Sequence, residues 1–222
     1  MKFHLPEKKN PWIISAIAFP VLLWSLSEIM NITAIGLNRK SYQSIKKHPS
    51  EASIILSIKN KGSVNRKYLK EIKFPLSRKS DLRFDHERFD LRIFGLLEVE
   101  KPGLYWIGTE SDDGSWIWID GKKILDNGGF HAREEKKNFI QLEKGLHSIT
   151  VKFENILGEA YLDVFWIPPN ETRCPLPLIP NPYGRIISGL YRSAHLSFKI
   201  AQYWIFLLIP ILLYGVLFPF KK

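Results

Sequence analysis

Two nearly charge-free apolar runs, Pro11 to about Ile35 and Phe198 to about Phe220, bracket this chain of 222 residues. They constrain its fold more than anything between them. A helix rises about 1.5 Å per residue, so Phe198 to Phe218 spans roughly 31 Å, the thickness of a bilayer's hydrocarbon core. The run lacks the polar face of a soluble core helix. Tyr203 and Trp204 near its start and Lys221 and Lys222 beyond it suit interfacial anchors. The first run follows Lys2, Lys8 and Lys9, as a signal peptide or a signal anchor does. Its apolar stretch exceeds the roughly 7–15 residues of a signal-peptide core, and SLSEIMNITAIG offers no clear small-x-small cleavage site. An uncleaved anchor is expected, with Pro20 tolerated inside it and Glu28 near the outer interface.

Lysines close to both runs place both termini in the cytoplasm and the centre outside it. The expected organisation is a cytoplasmic tail at 1–10, a first span at 11–36 and an extracytoplasmic stalk at 37–66. A β-domain follows at 67–169, then a Pro-rich connector and juxtamembrane segment at 170–197. A second span at 198–220 and a cytoplasmic tail at 221–222 close the chain. Arg39 to Ser50 is basic and unpatterned, as a stalk would be, and the six prolines between Pro168 and Arg185 forbid regular helix or central strand. Ile186 to Ser197 is expected as a short amphipathic helix against the bilayer surface. The single cysteine, Cys174, cannot close an intramolecular disulfide, and no Cys/His spacing matches a structural zinc site.

The centre, Leu37 to Ser197, carries 26 Lys+Arg against 20 Asp+Glu. Ordinary solubilising charge accounts for this, with attraction to anionic headgroups or acidic polysaccharide as the other reading. No basic stripe with interleaved aromatics suggests nucleic acid. From about Ala52 the sequence falls into short β-patterned blocks: ASIILSI, FDLRIFGLLEV, GLYWIGTE, SWIWIDG, KKILD, KNFIQL, HSITVKFE and AYLDVFWI. Between them stand turn residues such as Lys101-Pro102-Gly103, Asp112-Asp113-Gly114 and Asn127-Gly128-Gly129. An all-β sandwich or barrel of antiparallel strands is expected. Asp120-Gly121 is the strongest hairpin signal, since a type I′ turn needs positive φ at both positions. That register puts Ile117 and Ile119 on one face and Trp116, Trp118 and Asp120 on the other.

Ser111-Asp112-Asp113-Gly114-Ser115 after an aromatic strand, Trp118 to Gly121, and Asp126-Asn127 together resemble the PA14 domain family. So do the later strand at Val151 to Phe153, the loop Asn155 to Gly158 and the closing Trp166 to Pro168. The resemblance covers roughly Lys67 to Pro169 and is clearest from Phe89. It implies a PA14-like antiparallel β-sandwich, here flanked by N- and C-terminal transmembrane helices, of a kind that commonly serves as a carbohydrate-binding module. In sugar-binding members, adjacent aspartates joined by a cis peptide hold calcium with an asparagine and loop carbonyls. The resemblance thus assigns a Ca2+ site to Asp112, Asp113, Asn155 and the carbonyl near Leu157, and ligand contacts to Trp116, Asn127 and His131. A hard cation with 6–8 oxygen ligands suits such donors. Two positions depart from the family: the usually polar position 116 is Trp116, and Gly128 replaces a common tryptophan. Trp116 then stands either as a platform for a sugar ring or packed against the stalk.

Each residue also has a plainer role. Asp112 and Asp113 can simply cap a turn, and His131 can be a solvated loop histidine. Glu110, Asp120 and Asp126 could be paired as in a glycosidase, yet hairpin acids are usually caps. No nucleophile-elbow, phosphate-loop or zincin motif is present, so no catalytic residues are expected. Asn170-Glu171-Thr172 fits a glycosylation acceptor. Two functions follow: a membrane-anchored, calcium-dependent module for a surface glycan, or a non-catalytic accessory or scaffold subunit. The latter would dock a membrane protein partner such as a glycosyltransferase or envelope complex.

Overall fold

The computed structural model describes residues 11–47, 54–60, 63–69, 74–77, 88–181 and 183–217. Helix α1 runs Pro11–Lys47. Twelve strands follow among the described residues: β1 Ile54–Asn60, β2 Ser63–Leu69, β3 Leu76–Ser77, β4 Phe89–Val99, β5 Gly103–Asp112 and β6 Gly114–Ile119. The rest are β7 Lys122–Asn127, β8 Glu134–Leu142, β9 Gly145–Asn155, β10 Tyr161–Ile167, β11 Cys174–Pro175 and β12 Ile179–Pro180. Helix α2, Gly184–Leu217, closes the described chain. Two units result, Ala34–Gly189 and the segments Met1–Thr33 with Leu190–Lys222.

The first unit holds two antiparallel sheets. One has seven strands in the order β2-β1-β4-β9-β6-β7, with β12 beside β4. The other has five in the order β11-β10-β5-β8, with β3 beside β10. Their inner faces share one apolar core, with Leu91, Ile93 and Leu97 of β4, Ile107 of β5, Ile117 of β6, Val151 and Phe153 of β9, and Leu162 and Val164 of β10. Strand β6 shows how the sequence chooses its faces. Ile117 and Ile119 are buried while Trp116 and Trp118 are partly exposed, as the period-two pattern requires. Asp120 and Gly121 turn the chain into β7 with φ of 46° and 75°, the two positive values a type I′ hairpin needs.

Strand β4 breaks the alternation for a reason. From Phe94 to Leu97 every residue is buried, because both faces are covered there. The inner face meets the core. Strand β12 continues the sheet beside β4, paired Ile179↔Leu96, and over the outer face lies the start of α2, where a Cβ on Gly184 would stand 2.6 Å from that of Phe94. The end of α1 is tied to the same region. Ser41 donates to Asn181 Oδ1 (3.0 Å), and the Tyr42 hydroxyl lies 2.9 and 3.0 Å from the two Glu98 carboxylate oxygens.

In the region expected as a stalk, residues 37–47, 54–60 and 63–66 are secondary structure. Residues 36–47 contain no proline, so α1 continues to Lys47, with Asn38 and Ser41 buried. Residues 54–60 and 63–69 pair with each other and with β4, so the sheet begins before the expected boundary at 67. The Pro-rich connector contributes only the two-residue strands β11 and β12, in keeping with proline's missing N–H. Ile186 to Ser197 is not a separate helix: no proline falls between Gly184 and Ile209, and α2 continues through Pro210 to Leu217. Ile187, Tyr191, Ala194 and Ala201 are its buried positions, at helical spacing.

In the second unit the Trp204 indole N–H donates to the Ala16 carbonyl (3.1 Å), and its ring meets Phe19 edge-on at 5.0 Å. Among the described residues, one stretch, Ser15–Ser44, is long and apolar enough to cross a membrane, a property shared by spans and signal sequences. The expected tails at 1–10 and 221–222 lie outside the described residues.

Candidate functional site

Strands β5 and β6 are joined through Asp113 alone, and the Asp112–Asp113 peptide bond is cis. Asp113 is 1% exposed, yet its carboxylate is well provided with donors. Oδ2 accepts from the backbone N–H groups of Ile156 (2.7 Å) and Leu157 (3.3 Å), and Oδ1 from that of His131 (3.2 Å). One side chain thereby gathers three loops into a single rim. A buried carboxylate is tolerable on such terms, since each N–H replaces a lost water contact.

Asp112 has a different environment. It is only partly buried, and its pKa is raised, first by burial and then by the negative charge of Asp113. His131 and the backbone N–H of Arg133 pull in the opposite direction, and Glu159 adds to the rise. Among the described residues, no Lys or Arg forms an ion pair with either aspartate. Nor is there a cluster of three or more His, Cys, Asp or Glu side chains set to hold a metal.

Beneath the rim runs a chain of buried hydroxyls and an amide. Thr109 and Ser115 lie 2.7 Å apart, Ser111 and Ser115 2.8 Å, and Asn127 Nδ2 donates to Ser111 Oγ (3.1 Å) and to the Glu134 carbonyl (3.2 Å). Asn127 Oδ1 is buried without a protein donor. Asn127 thus stands under the rim, wholly buried, rather than on its open side. Asn155 is also fully buried, at the end of β9 and immediately before the loop that Asp113 holds. Leu157 is exposed, with its N–H directed at Asp113.

The two departures from the family pattern explain each other. A Cβ on Gly128 would stand 2.4 Å from Trp116 Cζ2, and one on Gly114 would stand 2.9 Å from the same ring. The indole of Trp116 therefore lies over both glycines. Its face also carries Lys152 Nζ, 4.2 Å from the ring centroid. His131 completes the rim with Nδ1 2.8 Å from the Ala132 carbonyl and Nε2 3.2 Å from the Asn127 carbonyl.

Glu110, Asp120 and Asp126 each have a partner. Glu110 lies 2.8 Å from Arg133 Nε and 3.5 Å from Arg173, and the Arg133 hydrogen bond holds its pKa below the usual range. Asp126 pairs with Lys123 at 2.7 Å and Asp120 with His147 at 2.7 Å. A glycosidase pair needs free carboxyls facing a substrate, which these are not. Sequence reasoning missed the network of Arg133, Arg173, Glu135 and Asp163 around Glu110. The network rests on the alignment of Asp163, Glu110 and Glu135 across β10, β5 and β8, with both arginines just outside strands, and is legible only once strand register is known.

Comparison with known proteins follows the geometry. The PA14 domain family model matches residues 59–178. An anti-sigma factor domain-containing protein from Clostridium clariflavum is similar at 21% identity and TM-score 0.50, over 58% of this chain and 46% of that one, a likeness of fold. This chain thus spans less than half of that protein. A PA14 sugar-binding domain from an RTX adhesin is 18% identical, with TM-score 0.38 over 43% of this chain and 55% of that one. The A domain of epithelial adhesin 9 from Candida glabrata, solved in complex with Galβ1-4GlcNAc, is 12% identical, with TM-score 0.43 over 60% and 91%. No curated protein matches. With the family model matched over more than half of its length and the two-sheet architecture in place, the chain belongs to the PA14 domain family.

Proposed function

We propose that this chain is a membrane-anchored, extracytoplasmic PA14 module that binds carbohydrate through a calcium ion at Asp112 and Asp113. The observation that carries the reading is a contrast in charge. Two adjacent carboxylates sit at a rim with His131 nearby and no Lys or Arg ion pair, while Glu110 and Asp126 are paired to Arg133 and Lys123. The pKa of Asp112 is raised by burial first and by the charge of Asp113 second, and a divalent cation between the two carboxylates would offset both. The donors fit a hard ion: two carboxylates, the neighbouring Asn155, and the loop of Leu157 already drawn to Asp113. Sugar hydroxyls would complete the oxygen shell, and His131 and Trp116 would border it. Membership in the family supplies the ligand class. The apolar stretch of α1 would be one anchor, and this reading takes α2 as a second span with both termini cytoplasmic.

The test is calcium calorimetry on the full chain in phosphatidylglycerol nanodiscs, comparing wild type with D112N, followed by a glycan array with and without chelator. Saturable calcium uptake lost in D112N, with glycan binding that needs calcium, supports the reading. A folded wild type that takes up no calcium sinks it. The accessory-subunit reading has its own observation: Leu104, Trp106 and Phe139 stand exposed together on the five-stranded sheet, with the two rings edge to face at 5.7 Å. Under that reading, a W106A/F139A change would release a co-purifying membrane partner and chelator would not.

A further inference from the structure

At the far end of β5 from the aspartates, roughly 23 Å away at about 3.3 Å per residue, lies a recess of about 340 Å³. That volume is near the lower end of known small-ligand pockets, about 300–1,000 Å³, and suits a compact guest. Its floor is aromatic. The rings of Tyr105 and Trp166 stack with centroids 5.2 Å apart and planes 21° apart, and Tyr105 is buried behind Trp166. Its walls include proline rings, which offer C–H surface and no N–H donors.

The recess is built rather than incidental. The Tyr105 hydroxyl donates to the Lys101 carbonyl (2.7 Å), locking the floor. The Glu171 N–H donates to the Pro168 carbonyl (3.1 Å), and Asn170 at φ 62° turns the chain so that Glu171 borders the opening. Gly103 leaves room for the Pro169 ring, since a Cβ there would stand 2.8 Å from Pro169 Cγ.

Glu98, Glu100 and Glu171 surround the aromatic floor, against one lysine, Lys101. Among the described residues no ion pair closes any of the three. Glu171 and Glu100, after burial itself, raise the Tyr105 pKa, so their fields converge on the floor. Both Glu98 oxygens already face the Tyr42 hydroxyl. A bare ammonium would need acceptors for three N–H bonds, whereas a methylated one needs only negative potential and apolar contact.

We propose that this recess binds a methylated ammonium group of the choline type, with its methyls against Trp166 and the proline rings and its charge among the three glutamates. Free choline and the headgroup of a choline lipid share this chemistry.

Saturation-transfer NMR on the choline methyl signal tests it, using the full chain in phosphatidylglycerol nanodiscs with calcium chelated. Choline is compared with its neutral isostere 3,3-dimethyl-1-butanol and with glycerophosphocholine. Saturable binding of choline or glycerophosphocholine at least about 10-fold tighter than the isostere is expected. A tighter glycerophosphocholine response identifies the lipid headgroup as source, and a tighter choline response the free solute. E100Q/E171Q should weaken binding about 10-fold with an unchanged melting temperature, since both side chains are exposed. W166L should weaken it similarly, with folding checked by melting. Equal binding of choline and the isostere, no saturable binding, or indifference to E100Q/E171Q overturns the proposal.

Discussion

Strand β6 is six residues long, and an aspartate turn stands at each of its ends. At one end Asp120 is closed. Its Oδ1 accepts the Ser148 N–H (2.8 Å), its Oδ2 faces His147 Nδ1 (2.7 Å), and its own N–H reaches the Ser148 carbonyl (2.9 Å). At the other end Asp113 is equally well bonded, but every donor is a neutral backbone N–H, and Asp112 beside it is left with a raised pKa. The same residue type therefore does two jobs. Where a histidine side chain completes the group, the turn is closed; where only backbone N–H groups bond a carboxylate that stands beside a second one, the turn is the place for the proposed cation.

The strongest way to break this comparison is to remove the better-bonded member. D113A deletes three hydrogen bonds to a buried carboxylate and frees the loops of His131 and Ile156 together. Charge-assisted bonds contribute about 1.5–3 kcal/mol singly and do not simply add, so a loss of about 3 kcal/mol is expected in denaturant melts. D120A should cost less, about 2 kcal/mol, because one backbone donor rather than three is orphaned, with loss of the His147 contact and alanine at φ 46° included in that figure. A D120A loss exceeding that of D113A would reverse the ranking of the two turns.

Removing charge without removing shape sharpens the contrast. D112N keeps the side chain's size and ends its repulsion with Asp113. Thermal stability without calcium should stay level or rise by less than about 1 kcal/mol, discounted for the exposure of this rim. The calcium-induced rise in melting temperature expected of wild type should disappear. A D112N protein that calcium still stabilises as wild type would place the ion elsewhere.

How far the sequence showed these two turns differs between them. Asp120-Gly121 was legible because its signal is local: positive φ at two adjacent positions and period-two flanks select one turn. So was the split of Ile117 and Ile119 from Trp116 and Trp118. The extent of the sheet was not, because β1 and β2 precede the part of the chain where the family resemblance is clear, and α1 runs through a stretch read as a stalk. At the rim, the aspartate pair stood out by motif, but its surroundings did not. That Asp113 holds Ile156 and His131, that Asn127 lies beneath, and that Trp116 fills the space over Gly128 are contacts across 12 to 43 residues of sequence. Such pairings depend on strand register, which no local pattern encodes.

The smallest expected effect is a pH dependence located at the closed turn. The hydrogen bond to Asp120 raises the His147 pKa, burial opposes it, and the Glu143 carbonyl at 2.9 Å from Nε2 adds to the rise. Both ring nitrogens face acceptors, so only the imidazolium can donate to both at once. A group whose folded pKa is raised contributes its full stability below the unfolded value, about 6.5, and loses it as pH climbs through the folded value. Wild type should therefore lose a few tenths of a kcal/mol from this pair between about pH 6 and 8, on the scale of a partly exposed ion pair. H147Q keeps a hydrogen bond to Asp120 but cannot titrate, so the difference in stability between wild type and H147Q should shrink as pH rises. A difference that is constant across that range would mean the two ends of β6 are balanced alike, and the distinction drawn from charge would fall.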